Sequence, residues 1–197
     1  HSQALHAWFS HVPGLRVVMP STVEDARDLL IASVLCPDPV LYIDDRWLYE
    51  QKAILNPIKL YDLSAEGPRV LSLGADVTIA GSGFAAFLAT KAAAKLAPFG
   101  ISAEVVDIRV LNPLNPQVLI DSVSKTGRFL AVDIGFASTG FAGELIAKVI
   151  ENVDLSRLKC SPKRLTLPDA PAPSSAALEK DYYFTEIDVY NAVKSMF

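Results

Sequence analysis

Near neutral pH the sequence has few side chains that can exchange a proton. Its only histidines are His1, His6 and His11, all at the amino-terminal end. Cysteine is equally scarce. Cys36 and Cys160 lie far apart, with no CxxC or Cys/His cluster, which argues against a zinc site and for free thiols in a reducing compartment. No block of basic residues occurs, and 18 Lys and Arg against 22 Asp and Glu leave a net charge of −4. Nucleic acid and anionic membrane surfaces are therefore not expected as partners. No apolar run approaches the ~20 residues of a membrane-spanning helix. Internal repeats, low-complexity tracts, GxGxxG fingerprints and Walker loops are also missing. There is no initiator Met and no signal peptide. The opening His1-Ser2-Gln3 is read as the front edge of the carboxy-terminal piece of a longer protein.

Apolar residues, by contrast, are abundant. They make up 51% of the 197 residues, enough to fill a buried sheet and leave a surplus for a subunit interface. Asn56-Pro57 to Gly67-Pro68, with prolines and a glycine and no long periodicity, reads as a linker. Before it, Gln3 to His11 suits a helix stopped by Pro13-Gly14, and Leu15 to Met19 suits a buried strand. Ser21 or Thr22 is placed to cap a second helix, with Glu24 and Asp25 in its first turn. Its apolar face is expected to hold Val23, Ala26, Leu29, Leu30 and Val34. Val40 to Ile43 follows as a strand, completing a parallel βαβ unit too small to close a sheet without upstream chain.

After the linker the alternation continues. Strands are expected at Val77–Ala80, Ala103–Ile108, Phe129–Val132 and Leu165–Leu167. Helices are expected at Phe84–Ala97, Gln117–Val123, Gly143–Val153 and Glu186–Met196. This pattern predicts an α/β fold with a mostly parallel sheet flanked by helices.

Few residues carry an obvious chemistry. Gly81-Ser82-Gly83 and Gly140-Phe141-Ala142-Gly143-Glu144 both lead into helices, whose amino termini attract anions; tight turns and close packing are the alternatives. His1 is the catalytic candidate, because a histidine exchanges protons near neutral pH. His11 is expected to finish a helix and His6 to be a surface or packing residue. Trp8, Phe9, Trp47 and Tyr49 are expected in a core or an interface. Asp44-Asp45-Arg46 reads as a salt-bridged strand end. Asp107 and Arg109 are expected to fix the turn at Asn112–Pro116.

Several of these segments, taken in order, resemble one family. Asp107-Ile108-Arg109-Val110-Leu111-Asn112-Pro113-Leu114-Asn115 looks like the carboxy-terminal-domain signature of transketolase-like enzymes. His1-Ser2-Gln3, Ala7-Trp8-Phe9, His11-Val12-Pro13-Gly14-Leu15 and Val17-Val18-Met19-Pro20 resemble its β-subunit branch, that of the pyruvate and branched-chain 2-oxo acid dehydrogenase first component. Asp38-Pro39-Val40-Leu41-Tyr42, Leu48-Tyr49 and Asp169-Ala170-Pro171-Ala172-Pro173 keep the same order.

The resemblance implies a remnant of the pyrimidine-binding domain at 1–55, a linker at 56–68 and a transketolase-like carboxy-terminal domain at 69–197. It implies thiamine diphosphate and magnesium in the full enzyme, where the cofactor's carbanion attacks a 2-oxo acid, carbon dioxide leaves and the acyl unit is passed on. His1 then gains a role in proton transfer or in handling the acceptor. The pyrimidine-activating glutamate would lie upstream, and the diphosphate and magnesium ligands on an α-type subunit or domain. The chain alone should therefore hold the cofactor weakly or not at all. A potassium ion is implied at backbone carbonyls of Ser33, Val34, Cys36 and Asp38. Homodimerisation through the carboxy-terminal domain and a cytoplasmic location are also implied.

Asn115, Asp133-Ile134-Gly135 and Asp44-Asp45-Arg46-Trp47 depart from the usual pattern, which points to a divergent member with an unusual acceptor. The alternatives are a transketolase or deoxyxylulose-phosphate-synthase type acting on sugar phosphates, and a non-catalytic assembly or regulatory module. The second domain has no histidine to bind a sugar phosphate, which favours 2-oxo acids.

Overall fold

The computed structural model describes residues 2–197. In chain order it forms α1 (His6–Ser10), β1 (Arg16–Val18), α2 (Val23–Leu35), β2 (Val40–Tyr42), β3 (Arg69–Ser72), β4 (Val77–Gly81) and α3 (Phe84–Leu96). Then follow β5 (Ala103–Asp107), β6 (Val110–Asn112), α4 (Gln117–Thr126), β7 (Phe129–Phe136), α5 (Phe141–Ile150), β8 (Lys163–Leu167), α6 (Ala176–Tyr182) and α7 (Glu186–Lys194). The larger sheet has the order β3-β5-β4-β7-β8. All of its neighbours are parallel except the edge strand β3, which runs antiparallel to β5.

Continuous apolar runs make this sheet because both of its faces are covered. Ala80, Val106 and Ala131 point to one side, where Leu119 and Val123 of α4 and Leu145 and Val149 of α5 pack on them. Their neighbours Ile79, Val105 and Leu130 point to the other, against the alanines of α3 and Val189 and Val193 of α7. The alternation is the two-residue period of a strand, used here to feed two cores. Small residues let α3 lie close to the sheet. A Cβ on Gly81 would come within 2.8 Å of the Val132 carbonyl oxygen and 3.0 Å of the Ala85 Cβ.

The smaller sheet joins the two ends of the linker. β1 pairs in parallel with β2 and antiparallel with β6, so the order is β2-β1-β6. The sheet expected to need upstream chain thus gains its third strand from after the linker. Val17 and Met19 share a core with Val106, Ile108 and Leu111. Asn112 fastens the junction from its side chain, donating to the carbonyls of Val12 (3.0 Å) and Leu15 (2.6 Å).

Helix α2 departs most from expectation. Thr22 caps it as the sequence suggests, accepting from the Asp25 amide at 3.2 Å. Leu29 and Ala32 are buried, but Leu30 is exposed and Val34 is 77% exposed. The inward face carries Asp25 and Asp28 instead, both fully buried. The reason is what they meet. Asp25 receives the guanidinium groups of Arg109 (3.0 Å) and Arg69, and Asp28 receives Arg27 at 2.6 Å. Arg109 also binds Glu66 and donates to the Gly67 carbonyl at 2.9 Å. Its backbone is left-handed, with φ of 42°, an uncommon state for a residue with a side chain. Helix α2 and the Glu66-Gly67 stretch therefore converge on one cation.

Other expectations shift in smaller ways. Helix α1 is shorter than Gln3–His11, and β3, β6 and α6 were not foreseen. Trp8, Phe9, Trp47 and Tyr49 are exposed on this chain rather than in its core.

Removing the cation should be costly, because Asp25 and Glu66 would lose their shared partner. Arg109→Ala is expected to lower unfolding free energy by about 3–5 kcal/mol, the usual range for breaking a buried ion pair. Urea denaturation followed by circular dichroism checks this; a loss below 1 kcal/mol would show that the node is not structural.

Candidate functional site

A cleft of about 600 Å³ opens beside the amino-terminal segment. Its walls come from Ser2 to His6, from Met19 just past β1, from Ile43 to Trp47 past β2, from Ile134 in β7, and from Glu179 and Tyr183. Most of these positions lie toward the carboxyl ends of parallel strands, where α/β sheets commonly bind ligands. His1 lies outside the described residues. Its neighbours are tied to the rim, since the Tyr183 hydroxyl donates to the Ser2 carbonyl at 2.8 Å.

Both glycine-containing helix entries have their amide ends filled by the protein's own carboxylates. At Gly81-Ser82-Gly83, the Phe84 amide at the start of α3 donates to Asp45 Oδ2 at 3.2 Å. Gly83 has φ of 53°, and a Cβ there would collide with Met19. Asp45 also accepts from the Trp47 amide at 3.1 Å. It is thus a two-sided cap rather than half of a salt-bridged strand end, and Asp44 takes the Tyr49 hydroxyl instead. Burial raises the Asp45 pKa; the amides of Trp47 and Phe84 partly offset that, and the neighbouring Asp44 charge adds to it.

The second entry, at Gly140, is filled in the same way. Asp133 Oδ2 accepts from the Ala142 amide in the first turn of α5 at 3.0 Å, and Oδ1 accepts from the Gly135 amide at 2.8 Å. A third group comes from across the fold: His6 Nε2 lies 2.9 Å from Asp133 Oδ1. Burial alone would raise the Asp133 pKa. The hydrogen bond and charge of His6, with the two amides, outweigh it and hold the carboxylate below its usual range.

His6 is therefore not a surface residue. It is 2% exposed, sits edge-on to Phe141 and lines the cleft. Sequence reading missed the pair because its members lie far apart and share no motif. The one available signal was Asp133 itself, an acidic residue in an otherwise apolar strand. His11 ends α1 as its C-cap and is exposed.

Asp107 and Arg109 do not hold the turn at Asn112–Pro116. Arg109 goes to Asp25, Glu66 and Gly67, and Asn115 Oδ1 caps α4 by accepting from the Gln117 amide at 3.1 Å. Asp107 is fully buried, accepts from the Ser21 hydroxyl and takes the Arg109 amide at 3.2 Å.

Along the segment implicated in cation binding, Ser33 Oγ donates to the Leu29 carbonyl at 2.6 Å, Cys36 is the extended C-cap of α2, and Asp38 is drawn to Arg16 at 2.8 Å. The last carbonyls of α2 have no helical amide to receive, so oxygen donors for a monovalent ion are present. For magnesium there is no set of three ligating side chains among the described residues. For a diphosphate, the two filled helix entries present negative charge.

Residues 67–189 match the family described as transketolase, C-terminal domain. The chain is 34% identical over 196 residues to the Rhizobium meliloti (strain 1021) pyruvate dehydrogenase E1 component subunit beta, covering all of this chain and 42% of that protein. It is 38% identical over 183 residues to the mitochondrial subunit beta-1 of the same component from Arabidopsis thaliana, covering 91% and 50%. It is 36% identical over 182 residues to the acetoin:2,6-dichlorophenolindophenol oxidoreductase subunit beta of Cupriavidus necator, covering 92% and 53%. The chain spans about half the length of these curated relatives. Among solved structures, a split-gene transketolase described as an inactive beta4 tetramer superposes with a TM-score of 0.74 at 26% identity, over 97% of this chain and 60% of that one.

The buried Asp107 carboxyl generates a pH signature. Burial pushes its pKa up to about 7, with Asp25 adding to the rise and Ser21 and Arg109 opposing it. Unfolded, it would titrate near ~3.9. Between these values the folded state holds a proton that the unfolded state has lost, so this group's contribution to stability falls as pH rises. The melting temperature of Asp107→Asn should therefore depend less on pH between 4.5 and 7.5 than that of the parent chain, by calorimetry. An unchanged profile would place the Asp107 pKa near its ordinary value.

Proposed function

Because this chain belongs to the transketolase carboxy-terminal-domain family, we propose that it serves as the carboxy-terminal part of the β-type subunit of a thiamine-diphosphate-dependent 2-oxo acid dehydrogenase first component. The observation that carries this reading is the collinear 34–38% identity to pyruvate dehydrogenase E1 β subunits over nearly the whole chain. The acetoin oxidoreductase β subunits, at 35–36% identity, favour a second reading within the same chemistry, with a hydroxyketone as substrate.

The residues present do not fit the diphosphate or its magnesium, so both belong on an α-type subunit or domain. The chain's own share is the cleft wall and the assembly surface. The cleft beside Ser2 and Gln3 forms the substrate-facing side, and His1 acts in proton transfer. Residues 1–55 act as the remnant of the pyrimidine-binding domain, 56–68 as linker and 69–197 as the carboxy-terminal domain. A potassium ion at carbonyls of Ser33, Val34, Cys36 and Asp38 would steady the end of α2. Exposed apolar side chains support assembly: Leu30, Val34 and Leu35 on α2, and Leu73, Phe99 and Ile187 beyond the linker. The expected assembly is a homodimer through the carboxy-terminal domain, joined to the α-type partner. The location expected for this assembly is cytoplasmic.

Isothermal titration of the chain with thiamine diphosphate and magnesium chloride should give no saturable heat, and the chain alone should turn over no 2-oxo acid. Light scattering at high micromolar concentration should report a dimer. Tight cofactor binding by the chain, or a strict monomer, would overturn the division of labour proposed here.

A further inference from the structure

Tyr183 borders two cavities. One is the cleft beside Ser2 and Gln3; the other, of about 620 Å³, has Leu167 of β8 and Phe184 in its walls. The side chain is half-buried and has open space on more than one side, so packing alone does not fix it.

Its backbone, by contrast, is firmly placed. The Tyr183 amide donates to the Glu179 carbonyl at 3.0 Å and closes the last turn of α6. The ring stands edge-on to Trp47 at 4.9 Å and to Tyr182 at 4.9 Å. Trp47 is itself seated edge-on against Phe84 at 4.6 Å, and its amide is held by Asp45. From this base the hydroxyl crosses to the other end of the chain and donates to the Ser2 carbonyl at 2.8 Å.

The stretch it reaches has little else to hold it. Among the described residues, Ser2, Gln3 and Ala4 make no other hydrogen bond. Helix α1 is secured independently, with His6 Nε2 2.9 Å from Asp133 Oδ1. The freedom that Tyr183 controls is therefore confined to the residues ahead of α1. Those residues line the cleft, and His1 directly precedes them. A net hydrogen bond of this kind biases a segment about fivefold toward its held position. Placement matters at such a site, because displacing a reacting group by ~1 Å can slow a reaction ~10²-fold.

We propose that Tyr183 is a positioning residue of the site: its hydroxyl, clamped on the Ser2 carbonyl, holds residues 2–5 as a wall of the cleft and thereby sets the approach of His1. Tyr183 acts through that stretch and touches no reacting atom. The proposal rests on reading the cleft as the substrate-facing side and His1 as the proton-transfer group.

The test uses the 197-residue chain labelled with ¹³C and ¹⁵N and read by triple-resonance NMR. Tyr183→Phe keeps the ring against Trp47 and removes only the donor. The Ser2 carbonyl resonance, read through the Gln3 amide, should move upfield. The heteronuclear NOE of Gln3 and Ala4 should fall toward that of a free terminus. The Trp47 indole and the amides of β4 should keep their positions, which shows that the fold is intact. Replacing Tyr183 with 4-aminophenylalanine restores an N–H donor and should return the Ser2 and Gln3 signals toward those of the parent chain. A Phe variant indistinguishable from the parent, a change spread through α1 and β4, or no recovery with the amino-substituted ring would overturn the proposal. These signals need neither thiamine diphosphate nor an α-type partner, so they decide the clamp alone, while cofactor titration and light scattering decide the subunit reading.

Discussion

Arg109 is a cation placed where water does not reach, and the chain is arranged to satisfy it. Its guanidinium takes Asp25 from α2, Glu66 from the linker and a carbonyl from Gly67, while its left-handed backbone turns the chain from β5 into β6. Burying a charge is unfavourable unless it is paired and hydrogen-bonded, so these segments are bound to one another as strictly as by a core contact. The node explains why α2 turns carboxylates inward and leaves leucine and valine outside. It also explains how a linker with no helix or strand keeps a defined path.

Carboxylates solve a second problem at the edge of the cleft. Two parallel-sheet helices begin at glycines, and each leaves amides that need an acceptor. In many α/β proteins a bound phosphate meets that need. Here Asp45 and Asp133 meet it from within, which makes the region acidic. The same Asp133 recruits His6, so helix capping and the organisation of the site are carried by one side chain.

The sequence pattern foretold the regular parts well. β4, β5 and β7 are apolar runs with turn residues around them, and α3 is stopped by Pro98-Phe99-Gly100, so local chemistry was sufficient. β3 and β6 escaped because they are short edge pieces defined by their pairing, not by their composition. The inward face of α2 was misjudged because apolar spacing cannot reveal an arginine waiting elsewhere in the chain. At the site, His6 and Asp133 were not connected. Their partnership exists only once α1 is laid over the end of β7, a fact of tertiary packing with no local trace. Asp45 was misassigned for a similar reason, since its second amide belongs to a helix far along the chain.

The pairing of β1 with β6 has a consequence for how the molecule can be divided. Cut at the linker, the segment that matches the transketolase family would keep its five-stranded sheet and lose β1 and β2. β6 would then present a bare ladder of amides and carbonyls to solvent, flanked by Ile108 and Leu111, which are buried in the intact chain. An unprotected strand edge of this kind is a template for pairing with other molecules. Sequence similarity draws the boundary of a domain near residue 67, but the unit that keeps β6 paired begins well before it.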